Sequence, residues 1–117
     1  MQTTIVQIFL EKADALADKV ALRYLENNQW KDKSWREYKE MVLNVAAGLF
    51  SRGVVAGDRV VIISNNCMEW IIADLATMAI GAISVPIYPS STQEVMDAII
   101  TDLHPRFVFM QDKHRLM

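Results

Sequence analysis

A chain of 117 residues, 52% hydrophobic and 22% charged, carries enough apolar material for one packed core, which excludes a disordered chain. A formal charge of -2, with no stretch that mixes clustered Lys and Arg with aromatics, excludes the electrostatic footprint of nucleic-acid binding. The single cysteine, Cys67, excludes a disulfide framework and a thiolate metal cluster and points to a reducing, cytoplasmic setting.

The start, "MQTTIVQIFLEKADALADK", lacks the basic leader and long apolar block of a signal peptide. From Thr3 to Ala17, the apolar residues Ile5, Phe9, Ala13 and Leu16 recur at helical spacing and leave Glu11, Lys12 and Asp14 towards water, which predicts an amphipathic helix. Its acidic polar face argues against electrostatic membrane docking by this segment, since interfacial helices are usually basic. "VALRYLE" and "WKDKSW", joined by an Asn-rich turn, predict a β-hairpin.

Ser34 and Glu37 have capping-box spacing, and Trp35, Tyr38, Met41, Val42, Val45, Ala46, Leu49 and Phe50 continue at helical intervals until Gly53 stops the helix. "RVVIIS" is a continuous apolar, β-branched run, the form of a strand buried on both faces. The helix predicted from Cys67 to Ile80 is apolar almost all round and should be largely buried. "AISVPIY" reads as a second buried strand ended by Pro86 and Pro89. Ser91 and Glu94 repeat the capping logic before Val95 to Leu103, and Pro105 separates that helix from a third strand, "RFVFM". Strands alternating with helices predict α/β architecture with a parallel sheet, in one unit without repeats or linkers. The longest apolar stretch, "LATMAIGAISVPIY", is too short to span a membrane and contains Gly81 and Pro86.

The turn between the first buried strand and its helix is where α/β proteins often hold a phosphate. Here it contains Asn65 and Asn66 with no glycine and no nucleotide-binding fingerprint, so both asparagines read as helix caps. Cys67, near a helix N-terminus, is a candidate nucleophile, but His104 and His114 lie far along the chain, so it reads as a small packed residue. Those two histidines are too few ligands for a zinc site. Glu69 and Asp74, five residues apart on a helix, fall on different faces, and a dipole-favoured acid plus a hydrogen-bonded Asp is the plainer reading than an acid/base pair. Trp30, Trp35 and Trp70 with Tyr24, Tyr38 and Tyr88 read as core aromatics before a stacking platform.

Longer stretches read in order carry more. They comprise Ser34, Trp35 and Tyr38 with Ala46, Ala47, Gly48, Leu49 and Gly53; Gly57 to Val60; Asn66, Glu69 and Trp70; and Gly81, Ala82, Val85, Pro86, Tyr88 and Pro89. Together they resemble the early part of the AMP-forming acyl-CoA synthetases, the adenylate-forming enzymes. "VPIYPSS" is most similar to the long-chain fatty acid branch; Cys67, Met68 and the single Glu94 depart from its usual wording.

The resemblance implies an N-terminal part of that family's large domain, a β-hairpin plus a βαβαβ parallel-sheet unit with flanking helices. The expected divisions are helix and hairpin at 1–35, helix at 35–52 and βαβαβ at 58–111. It also implies a parent ligase that joins a fatty acid to coenzyme A with ATP and magnesium. The family's phosphate loop, ribose contact and catalytic lysine match nothing here, so no catalytic, cofactor-binding or metal residue is carried over. The isolated chain is expected to be inactive and to self-associate through an open third strand and a thinly covered apolar helix. A longer parent remains compatible with peripheral membrane association. The competing expectations are a free-standing α/β binding or regulatory module, a family member acting on aromatic, short-chain or amino acids, and a cysteine-dependent enzyme at Cys67.

Overall fold

A computed structural model describes residues 4–65 and 67–111. Helix α1 (Ile5–Ala15) is followed by strands β1 (Val20–Glu26) and β2 (Gln29–Ser34) and helix α2 (Trp35–Ser51). The chain then runs through β3 (Arg59–Ile63), α3 (Met68–Ala79), β4 (Ile83–Ile87), α4 (Gln93–Leu103) and β5 (Phe107–Met110).

The expected α/β fold is present: β1 and β2 form an antiparallel hairpin, and three parallel strands lie in the order β4-β3-β5. Asn27 and Asn28 close the hairpin with φ of 52° and 62°. Both central residues are left-handed, as a two-residue turn matching the strand twist requires. Helix α2 begins with the reciprocal box expected of Ser34 and Glu37 and ends where Gly53 takes a φ of 88°. Helix α1 carries a similar box that the sequence reading missed, with Gln7 in the acid's place opposite Thr4.

β3 is the central strand, and Val60 to Ile63 are buried on both faces because helices cover both. On one face Val60 joins a core with Val42, Ala46 and Leu49 of α2 and Ile72, Leu75 and Ala76 of α3. Phe9 of α1 reaches the same core and meets Tyr38 edge-on, ring centroids 4.7 Å apart. On the other face Val61, Ile63 and Ile87 meet Met96, Ile99, Ile100 and Leu103 of α4. The two crossover helices thus lie on opposite faces while their strands are added on opposite sides of β3, the arrangement that right-handed crossovers impose.

Four expectations need correction. β4 is half-exposed and lies at one side of the described sheet, and it continues through Pro86 to Ile87. The Ile83 N–H donates to the Asp58 carbonyl at 2.7 Å, so alternation along the ladder turns Pro86, which has no N–H, to the open side. Helix α4 is capped by the Thr92 hydroxyl, which accepts the Val95 N–H at 3.2 Å, and not by Ser91. The thinly covered helix is α4, which has no buried residue, whereas α3 buries five. Finally, Trp30 and Tyr88 are each 71% exposed and are not core aromatics.

Candidate functional site

In parallel sheets with this order, the chain reverses its direction of growth next to the first strand, and a crevice opens beyond the carboxyl ends of the strands there. In this chain β3 came first, β4 was added on one side and β5 on the other, so the reversal lies between β3 and β5. A cavity of about 260 Å³ sits at that point, with Ile62, Trp70, Ala73 and Phe109 as apolar wall and Ser64, Cys67, Glu69 and Gln111 as polar rim. On the other side of Trp70, a second hollow of about 500 Å³ runs past Ile71 and Pro86 to Tyr88.

Local hydrogen bonds set the shape of the rim. The Gln111 N–H donates to the Ile63 carbonyl at 2.9 Å, extending the β3–β5 contact by one residue, and its side-chain oxygen accepts the Asn65 N–H at 3.1 Å. The Ser64 hydroxyl donates to the Asn65 carbonyl at 2.8 Å and lies 3.6 Å from Cys67 Sγ. The strand-to-helix turn is thereby tied to the end of β5.

This geometry decides several of the sequence candidates. Asn65 does not cap α3: the N-cap is Cys67, whose side chain makes no capping bond, so that expectation fails. Asn66, also read as a cap, and His114 lie outside the described residues. Cys67 stands beyond the carboxyl end of β3, whereas His104, left-handed at φ 48°, precedes the amino end of β5. In a parallel sheet these are opposite edges, so the described histidine does not serve Cys67 as a base.

Glu69 and Asp74 are likewise separate. Glu69 is exposed in the first turn of α3 at the crevice rim. Asp74 accepts a hydrogen bond from the Ser84 hydroxyl and faces Tyr38. Burial, and then the charge of Asp74, push the Tyr38 phenol up to about 12. The aromatics form no platform: Trp35 packs with Phe9 and Tyr38, Trp70 lines the crevice, and Trp30 stands on the hairpin. Phe109 of the wall and Gln111 of the rim were missed, because only strand order brings β5 beside β3.

Among the described residues, those at the crevice do not fit a phosphate or magnesium site. The β3–α3 turn contains no glycine, and among the described residues no three of His, Cys, Asp or Glu converge as metal ligands. What the crevice offers is an apolar slot with hydroxyl, thiol, amide and carboxylate groups at its mouth.

Residues 9–116 match the family described as AMP-binding enzyme. The chain is 39% identical over 101 residues to long-chain-fatty-acid--CoA ligase FadD15 of Mycobacterium bovis, an alignment covering 86% of this chain and 17% of that protein. It is 30% identical over 112 residues to uncharacterized protein Rv1549 of Mycobacterium tuberculosis, covering 96% of this chain and 63% of that one. Among solved structures it is similar to the fatty acid AMP ligase from Legionella pneumophila, with a TM-score of 0.80 and 26% identity over 93% of this chain and 20% of that one. The chain therefore spans about a fifth or less of the length of these two ligases. With the motifs running from Ser34 to Pro89 in family order and the family match extending over nearly every residue, this chain belongs to the AMP-binding enzyme family.

Proposed function

We propose that this chain is the opening of the large domain of a long-chain fatty acid CoA ligase. In that reaction a fatty carboxylate oxygen attacks the α-phosphorus of ATP and expels pyrophosphate. Coenzyme A thiol then attacks the acyl carbonyl of the adenylate and releases AMP, leaving the thioester. Magnesium supplies charge neutralisation on the phosphates. The observation that carries this reading is the 39% identity with a protein named as a long-chain ligase.

The part assigned to residues 1–117 is structural: an incomplete first segment that sets β3, β4 and β5 as the beginning of a sheet. No residue of it is given a catalytic, nucleotide or metal role, and ATP, magnesium and coenzyme A belong to the parent enzyme. The test is pyrophosphate exchange into ATP, dependent on a long-chain fatty acid, followed by AMP release on adding coenzyme A. The whole gene product should show both and the 117-residue chain neither. Exchange by the short chain alone would overturn the structural assignment, and exchange driven only by amino or aromatic acids would overturn the substrate class.

A second reading, a free-standing binding or regulatory module, draws on one observation. Rv1549 is a relative of which this chain covers 63%, so a much shorter protein than the ligases carries the same segment. Under that reading no product of the gene exchanges pyrophosphate, and the 117-residue chain holds a specific protein partner.

A further inference from the structure

We draw no further inference here: the strongest candidate, the apolar crevice between the carboxyl ends of β3 and β5 lined by Trp70 and Phe109, belongs to the site already described, and nothing in the structure shows what covers it.

Discussion

Glu37 carries a titration that reports on one helix start. Its carboxylate accepts the Ser34 N–H at 3.0 Å, while the Ser34 hydroxyl accepts the Glu37 N–H at 3.1 Å. The bond from the Ser34 backbone is the main cause, with the Ser34 side chain next, of a carboxyl held below its usual range. A carboxyl lowered in the folded state contributes stability above its unfolded pKa and loses it as pH falls through the folded value. Glu37→Gln should keep the bond to Ser34 and remove that acid-side dependence, as unfolding curves across acidic pH would show. Tyr38 gives the opposite limb. Its folded pKa is raised, so its contribution is complete below the unfolded value of 10.0 and is lost as pH rises towards about 12. Tyr38→Phe should flatten the alkaline fall in stability; an unchanged fall in the variant would show that another group causes it. Of these two residues the capping box was legible from spacing alone, whereas the perturbed phenol was not, because burial, and then the charge of Asp74, act on it only after α2 and α3 pack.

Single residues were read well where a local rule decides, and less well where two neighbours compete for one role. Gly53, the Asn27–Asn28 turn and the Ser34 box stand where the sequence put them, since each depends on backbone geometry within a few residues. Helix α4 shows the limit: Ser91 and Thr92 both suit an N-cap, and the helix starts at Gln93, so that the cap falls one residue later, on Thr92. Thr92→Ala should cost about 1 kcal/mol of stability and Ser91→Ala should be close to neutral. Equal losses in thermal or urea unfolding would argue against the assigned cap. β4 failed as a buried strand for a related reason. Its apolar composition states that it belongs to a sheet, but only strand order decides that it lies at a side, where Pro86 is tolerated.

For the whole molecule, alternation of strands and helices made the α/β class legible, and the ordered motifs made the family legible. The site was not. Its position follows from β5 lying beside β3 and not beside β4, a long-range pairing with no sequence period of its own, so Phe109 and Gln111 could not be joined to Ser64 and Trp70 in advance. On the proposed function, this chain serves as scaffold for chemistry carried by a longer polypeptide. The most direct measurement is the intact mass of the gene product immunoprecipitated from its own cells. A mass several times the 13.3 kDa of this chain is expected. A product of 13.3 kDa would contradict it and leave the free-standing binding module in its place.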